Sequence, residues 1–289
     1  MIIVTLIGGL GNQMFQYAAG RALALSTGQD LVLDRRHYLR AREHRLALEV
    51  FPLENRPVHK SALPPLWRDQ PVRHILWRLA KHGPSHLREA SSGYDPRIAQ
   101  VTGPVRLEGY FQSERYFAPH ANAIRSDLTI RTPPDPENVR WLEEIRAEPR
   151  AVSLHVRRGD YVRNARFAAV HGTCTPDYYT AALEHVTDQT GEQPVIYAFS
   201  DDPTWVRKNL SLPAEIRVVN HNGPERNYED LRLMSACRHH IIANSSFSWW
   251  GAWLNPDPAR IVVAPARWYA DLRFENPDIW PANWVKIGG

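Results

Sequence analysis

The stretch AVSLHVRRGD at residues 151–160 joins a short, largely apolar segment to two adjacent arginines. Its first six residues have the length and composition of a strand inside a sheet. Similar segments follow, most of them separated by stretches with helical periodicity. The strands are predicted at 151–156, 195–199, 216–219, 240–243 and 261–264, and the helices at 138–147, 177–189, 203–210, 228–237 and 247–254. Alternating strands and helices predict a parallel α/β sheet with right-handed crossovers.

Charged residues follow the first of these strands, at the edge where open parallel sheets bind ligands. Arginine grips phosphate through a planar fork of donors and stays charged at any working pH. We therefore assign Arg157 to a diphosphate. Side chains alternate along an extended segment, so His155 and Arg157 are expected to point one way and Arg158 the other. Arg158 and Asp160 are expected to pair or to hold the loop, and a surface salt-bridge cluster is the alternative.

Two other strands end in residues suited to a nucleotide. Asp201 could accept hydrogen bonds from a guanine, while Asp202 could cap the helix that starts at Pro203. The fourth strand runs into three polar residues and a phenylalanine that open a helix, where backbone N–H groups favour an anion. These residues are Asn244, Ser245, Ser246 and Phe247. An ordinary helix cap is the alternative for this segment, but three such segments share one sheet edge.

The N-terminus predicts a β–turn–α–β unit, with strands at 2–7 and 31–33. Asn12 is a good N-cap for the helix between them, and Gly28 suits its C-terminal end. The turn resembles a dinucleotide-binding loop, but Met14 replaces the third glycine, so that fingerprint fails. We predict domains at 1–131 and 132–267, joined at a proline-rich segment, and a tail at 268–289.

Charge and composition bear on partners. Residues 35–88 carry ten arginines and two lysines against four acids, whereas the whole chain has a net charge of +4. A basic amphipathic helix within residues 72–82 is a candidate for peripheral membrane contact, although docking on the core is favoured. No recognition motif for nucleic acid accompanies the basic stretch. The N-terminus lacks signal-peptide features, so a cytoplasmic location, with the inner membrane face as an option, is expected.

Metal chemistry has little support in the sequence. The two cysteines, Cys174 and Cys237, show no ligand spacing of the zinc-site kind, and no Asp-x-Asp triplet occurs. We predict neither a metal nor another cofactor.

Four ordered motifs carry a family resemblance. They are GGLGNQMFQYAAGRALA from residue 8, HVRRGDYV from residue 155, FSDD from residue 199 and ANSSFSWWGAWLN from residue 243. Together they resemble the bacterial α-1,2-fucosyltransferases of glycosyltransferase family 11. The resemblance implies an α/β fold of the GT-B type, in which two Rossmann-like domains face across a cleft. It also implies metal-independent transfer of L-fucose, with inversion, from GDP-β-L-fucose to the 2-hydroxyl of a galactose-terminated glycan.

The resemblance also implies roles for individual residues. His155 lies near the guanosine, Arg157 holds the β-phosphate, and Arg158 and Asp160 belong to the same motif. Asp201 is expected at the guanine edge, and the segment 244–247 around the pyrophosphate. From the other domain come Gly11, Asn12 and Gln13, with Asn12 at the reacting centre. No general base is assigned among Asp34, Glu108, Glu114 and Asp177, and the tail is expected to return to the first domain.

Two other classes of function stay open. The first is another GDP-sugar-dependent GT-B transferase, such as an O-fucosyltransferase. The second is a non-catalytic nucleotide-binding protein, since a fold alone does not fix a function.

Overall fold

The chain consists of two α/β units. The computed structural model describes residues 1–39, 44–55, 63, 71–79 and 85–288. The first unit is Met1–Thr129 and the second is Ile130–Gly289. Each unit contains one parallel sheet, with four strands in the first and six in the second among the described residues.

The first unit is built on a sheet of order β2-β1-β4-β3, with every pair parallel. Its regular elements are β1 (Ile2–Thr5), α1 (Leu10–Thr27), β2 (Leu31–Asp34), α2 (Pro71–Leu79), β3 (Ser85–Arg88), β4 (Val105–Glu108) and α3 (Ala121–Asp127). Helix α1 lies close against β1. A Cβ atom on Gly20 would overlap the Val4 side chain, so glycine permits this approach.

The ends of α1 test two sequence predictions. The helix starts at Leu10, with Gly9 at the capping position and no side-chain cap. The prediction that Asn12 is the N-cap is therefore wrong, because Asn12 lies inside the first turn. Gly28 confirms the other prediction: it adopts φ 65° and donates its N–H to the Ala24 carbonyl.

The second unit has the strand order β10-β9-β8-β5-β6-β7. Its elements are α4 (Pro136–Ala147), β5 (Ala151–Val156), α5 (Gly159–Arg163), α6 (Ala165–His171), α7 (Pro176–Thr190), β6 (Val195–Ser200), α8 (Pro203–Asn209), β7 (Glu215–Val219), α9 (Asn227–Ala236), β8 (His239–Ile241), α10 (Ser246–Leu254), β9 (Val262–Pro265) and β10 (Val285–Ile287). The predicted strands and helices of residues 138–264 are confirmed, with bounds that shift by one or two residues.

Helices cover both faces of this sheet. Tyr179 and Leu183 of α7 belong to one buried apolar cluster, and Leu233 and Met234 of α9 belong to another. Both clusters include residues of β5 and β6. Because β5 and β6 are buried on both faces, the loops that follow these two strands are held in fixed positions.

The tail differs from its prediction. Its strand β10 pairs in parallel with β9, with Val285 opposite Val263. This tail strand is therefore the edge of the second sheet, and the tail falls in the second unit. Trp249 Nε1 also donates to the Ile279 carbonyl, which holds the tail against α10.

The basic stretch is only partly described, since 40–43, 56–62, 64–70 and 80–84 lie outside the described residues. The predicted helix is present as α2, but Val72 and Leu76 are 67% and 59% exposed. The expectation that these apolar residues dock on the core is therefore wrong. Over the described part of the chain, no helix is both long and apolar enough to cross a bilayer.

Candidate functional site

The second sheet reverses its winding direction between β5 and β8. In chain order its six strands follow the doubly wound pattern 6-5-4-1-2-3, and β5 and β8 are the adjacent first and fourth strands. Such a switch point opens a crevice at the carboxyl edge, where ligands bind. Arg157 follows β5, and the segment 244–247 follows β8. The topology therefore brings two predicted phosphate-binding segments to one crevice.

Strand register brings Asp201 beside Arg157. Val156 pairs with Ser200, so the next residue of each strand lies level with the other. Arg157 Nη1 lies 3.1 Å from Asp201 Oδ2, and the Arg158 backbone N–H donates to Asp201 Oδ1 at 2.8 Å. The Asp201 carboxylate thus fixes both arginines of the motif. Its predicted place at the edge of a guanine stays a prediction.

The two arginines pack on different rings. The guanidinium carbon of Arg157 lies 5.4 Å from the centre of the Tyr161 ring, and that of Arg158 lies 4.2 Å above Trp205. Arg158 Nε is buried without a hydrogen-bond partner in the described structure. The side chain of Asp160 lies outside the described residues, and so does the expected Arg158–Asp160 pair.

Asp202 caps helix α8, as predicted. Its side chain accepts a hydrogen bond from the Trp205 N–H at 3.0 Å, and Pro203 opens the helix. The helix in turn carries the ring under Arg158. The two neighbouring aspartates therefore have different roles: Asp201 binds the two arginines, and Asp202 caps helix α8.

His155 is a buried, neutral imidazole at the end of β5. Burial lowers the pKa of His155 to about 4, Asp201 opposes this shift, and the Arg157 charge adds to it. The ring lies 5.8 Å from the ring of Phe247, centre to centre. Its Nδ1 atom is buried with no hydrogen-bond partner among the described residues. An uncharged imidazole with an unsatisfied nitrogen can bind a nucleoside but cannot supply positive charge.

The loop after β8 combines a structural amide with an open helix terminus. Asn244 Nδ2 donates to the carbonyls of His171 and Trp268, at 2.8 and 3.2 Å. These bonds make Asn244 a brace of the loop rather than a free ligand group. Ser245 occupies the N-cap position of α10 but forms no side-chain cap. The first turn, from Ser246, is therefore suited to an anion.

The first unit contains Gly11, Asn12 and Gln13 in the first turn of α1. Gln13 is fully buried, donates to the Gly8 and Arg45 carbonyls and accepts from the Ala47 N–H. The Gln13 amide therefore connects two loops of the first unit. Its N–H groups and its oxygen are already hydrogen-bonded there, although a donor nucleotide would need these same groups. Gly11 is also buried, so its contribution is backbone geometry.

Comparison with known proteins places the chain in a family. The model of glycosyl transferase family 11 matches residues 1–288. The chain belongs to this family. It is 33% identical to the Escherichia coli alpha-1,2-colitosyltransferase, over 99% of both chains. It is 26% identical to galactoside alpha-(1,2)-fucosyltransferase 2 of Oryctolagus cuniculus, over 88% of this chain and 67% of that one.

The fold of this family 11 chain also matches a solved structure. The NodZ alpha-1,6-fucosyltransferase from Bradyrhizobium, soaked with GDP-fucose, aligns with a TM-score of 0.53 and 15% identity. The alignment covers 88% of this chain and 92% of that one. It supports the predicted GT-B fold, with two Rossmann-like units.

Sequence reasoning missed a brace in the first unit of the family 11 chain. Gln112 Nε2 donates to Asn12 Oδ1 at 2.7 Å, so the Asn12 amide turns its Nδ2 group away from Gln112. Phe111, just before it, has φ 53°, the only positive φ at a non-glycine residue in the described chain. Glu89 stabilises this turn by accepting the N–H groups of Tyr110 and Phe111. Phe-Gln after a strand gave no sequence signal for this arrangement.

The acids considered as general bases can now be compared. Asp34 is buried and forms a bidentate ion pair with Arg36, at 2.8 and 2.7 Å. The hydrogen bond from His86 lowers the pKa of Glu108. Both carboxylates are already engaged by basic side chains. Within the described ranges, no three His, Cys, Asp or Glu side chains are grouped as metal ligands would be.

Proposed function

We propose that this family 11 enzyme transfers L-fucose from GDP-β-L-fucose to the 2-hydroxyl of a terminal β-galactoside, with inversion and without a metal. The carrying observation is the arrangement of Arg157, Asp201 and the open turn of α10 around the switch point. A cation, an anion-binding helix terminus and unsatisfied nitrogen atoms meet at one edge. The names of the rabbit relative and of NodZ supply the sugar and the linkage as candidates.

The proposed donor contacts follow from these positions. Arg157, together with the backbone N–H groups of Ser246 and Phe247, holds the diphosphate. His155 Nδ1 and Arg158 Nε, near the ends of β5 and β6, are two of the buried atoms without a hydrogen-bond partner in the described structure, and the nucleoside would satisfy them. Ser245 and Asn244 shape the loop. Asp201 orients Arg157 and shares the guanine edge, where one carboxylate oxygen can accept more than one hydrogen bond.

The transfer step develops charge on the leaving group. The acceptor hydroxyl oxygen attacks the anomeric carbon, the bond from that carbon to the β-phosphate oxygen breaks, and its electron pair leaves with GDP. The acceptor proton passes to a base or to water. Arg157 and the helix terminus stabilise the anion most strongly in the transition state, which accelerates the step. Asn12 is the residue of the first unit that we propose takes part in the transfer, and its amide cannot act as a base.

A second donor has its own support. The bacterial relative at 33% identity is named an alpha-1,2-colitosyltransferase. Colitose is L-fucose without the 3-hydroxyl, so GDP-colitose would present the same base, diphosphate and methyl group. A site that hydrogen-bonds the 3-hydroxyl would reject colitose strongly, whereas a site without such a bond would accept both sugars.

The remaining partner predictions go with this function. The enzyme is proposed to act in the cytoplasm, with the exposed apolar residues of α2 as the candidate contact with the inner membrane face. A nucleic-acid partner is not proposed.

The test is GDP release from GDP-fucose with lactose as acceptor, in excess EDTA. Wild type should turn over, and Arg157→Ala should lose about 10²–10³ in kcat, the usual cost of removing one fixed donor to a developing anion. Arg140→Ala, in helix α4, is the matched control and should retain full activity. GDP-colitose and GDP-mannose are assayed in parallel. Loss of turnover in EDTA would refute the metal-free mechanism, and a faster rate with GDP-colitose would replace the fucose assignment.

A further inference from the structure

A pocket of about 190 Å³ lies beside the crevice, within the second unit. Two segments form its walls, 171–175 before helix α7 and 265–270 after strand β9, and Asn244 lines it as well. Asn244 follows β8, residues 265–270 begin at the end of β9, and residues 171–175 lead into the start of α7. The pocket is therefore at the carboxyl edge of the sheet, near β8 and β9, and the roles given above do not use it.

The groups along this edge of the sheet come in the same order as the base, the diphosphate and the sugar of a nucleotide-sugar, and the pocket has the place of the sugar. Asp201 follows β6, Arg157 follows β5, and the open turn of α10 follows β8. The next strand is β9, one spacing of about 4.8 Å further on. In doubly wound sheets, the two halves of a ligand lie on opposite sides of the switch point, with the diphosphate between them. A guanosine over β6 therefore leaves the β8–β9 side for the sugar.

A row of rings connects the diphosphate residue to the pocket. The Tyr161 ring lies under Arg157, and it stacks on His171 with centres 4.4 Å apart and planes at 5°. His171 then contacts Tyr269, with ring centres 5.4 Å apart. His171 and Tyr269 both line the pocket. A group bound to the β-phosphate would thus reach the pocket along an aromatic wall, a surface on which sugar rings stack.

The pocket walls divide into polar and apolar parts. Thr173 and Arg267 offer hydrogen-bonding groups, while Cys174, Pro265 and Ala270 are apolar or nearly so. Burial raises the pKa of the Cys174 thiol to about 11, so this group is a neutral wall. Hydroxyl groups suit the first part and a methyl group suits the second. A 6-deoxyhexose carries both on one ring.

We infer that this pocket is the donor-sugar subsite and that its apolar wall selects 6-deoxyhexoses over hexoses with a hydroxymethyl group. Tyr269 is the specificity-determining ring. The inference rests on the proposed function, because it takes the diphosphate to bind at Arg157. It assigns the pocket to the donor rather than to the acceptor.

The test compares three ligands by calorimetry without acceptor: GDP, GDP-fucose and GDP-mannose. Tyr269→Ala should weaken GDP-fucose about tenfold, the scale of one lost stacking contact, and leave GDP within about twofold of wild type. Tyr269→Phe keeps the ring and should restore binding. Leu272→Ala, an exposed change in the same segment, should alter neither ligand. Unchanged GDP affinity also shows that each variant is folded.

A second variant narrows the pocket without removing a packed ring. Ala270 is exposed at the pocket, and Ala270→Leu should weaken GDP-fucose but not GDP. Equal weakening of GDP and GDP-fucose, or no change in either for both variants, overturns the inference. A higher KM for lactose with unchanged donor affinity also overturns it, and gives the pocket to the acceptor. If wild type fails to bind GDP, the proposed function itself fails.

Discussion

Gly159 offers a sharp test of how the donor edge is held. A Cβ atom at this position would lie 2.6 Å from Asp201 Oδ2 and 3.0 Å from its carboxyl carbon. Ordinary contact begins at 3.4 Å, so Gly159→Ala must displace the carboxylate by about 0.8 Å. That carboxylate is bonded to the Arg158 N–H and paired with Arg157. The substitution therefore moves Arg157, the residue proposed to bind the diphosphate, without touching it.

The expected cost comes from misplacement rather than from lost stability. The Arg157–Asp201 pair is partly exposed, with about a quarter of each side chain accessible, so its direct contribution to folding is at most about 1 kcal/mol. A shift of this size near a reacting group, by contrast, can lower the rate by up to about 10². We expect Gly159→Ala to lower kcat/KM by about ten- to a hundredfold and the midpoint of urea unfolding only slightly.

The assay needs two controls. Gly223→Ala adds the same methyl group where no atom lies within 4 Å, and should behave as wild type. The double variant Gly159→Ala, Asp201→Gly removes the clash, so the two losses should not add. If Gly159→Ala retains wild-type GDP affinity and turnover, the carboxylate does not position Arg157 and the reasoning is refuted.

Three further perturbations test the wider site. Gln112→Ala removes the hydrogen bond to Asn12, and steady-state kinetics should show kcat about tenfold lower with GDP affinity unchanged; a weaker GDP complex would contradict this role. His155 must charge in the unfolded chain below pH 6.5 but stays neutral in the fold down to about pH 4, so stability falls as the pH drops through this window. In urea titrations, His155→Gln should lose about 3 kcal/mol less unfolding free energy over this pH range than wild type does. The loss due to His240 remains, because burial also lowers the pKa of that residue, to about 3. An unaltered dependence of unfolding free energy on pH would contradict this. Gln13→Ala should cost about 2–4 kcal/mol in unfolding free energy, because it strands several backbone groups, and an unaltered midpoint would refute that.

The regular core of the second unit was predictable because local signals agree there. Residues 151–156 are fully buried as a strand, as their composition predicted. Helix α7 begins at Pro176 after a Thr175 cap and ends at Thr190, with Gly191 at φ 69° as its C-terminal cap. Caps, periodicity and length favour the same structure, so no tertiary contact had to overrule them.

The short peripheral strands were not predictable. β3 is Ser85–Arg88 with mostly exposed side chains, and β10 is Val285–Ile287. Neither shows a burial pattern that a sequence could reveal. Both exist because a more deeply buried neighbour, β4 or β9, supplies the backbone partners. Such pairing is a tertiary effect and leaves no local periodicity.

In the site, charge was easier to predict than amide chemistry. Arg157 and Asp201 lie where their strand ends placed them, since backbone register alone decides that. Gln13 and Asn244 looked like ligand groups by motif, yet their amides hold the carbonyls of their own unit. An amide side chain can form hydrogen bonds either with its own protein or with a ligand. Only the groups packed around it decide between the two.

The parallel pairing of β5 with β8 has a consequence for how the enzyme matures. Ser153 Oγ lies 2.8 Å from His240 Nδ1, 87 positions later in the chain, and both are buried. During synthesis β5 can pair with β6 early, but its contact with β8 must wait until most of the unit has been made, and such distant pairing forms slowly. The proposed donor site is complete only once both strands have paired. With the proposed GDP-sugar present at a hundred times its dissociation constant, linkage would stabilise the folded unit by about 2.7 kcal/mol.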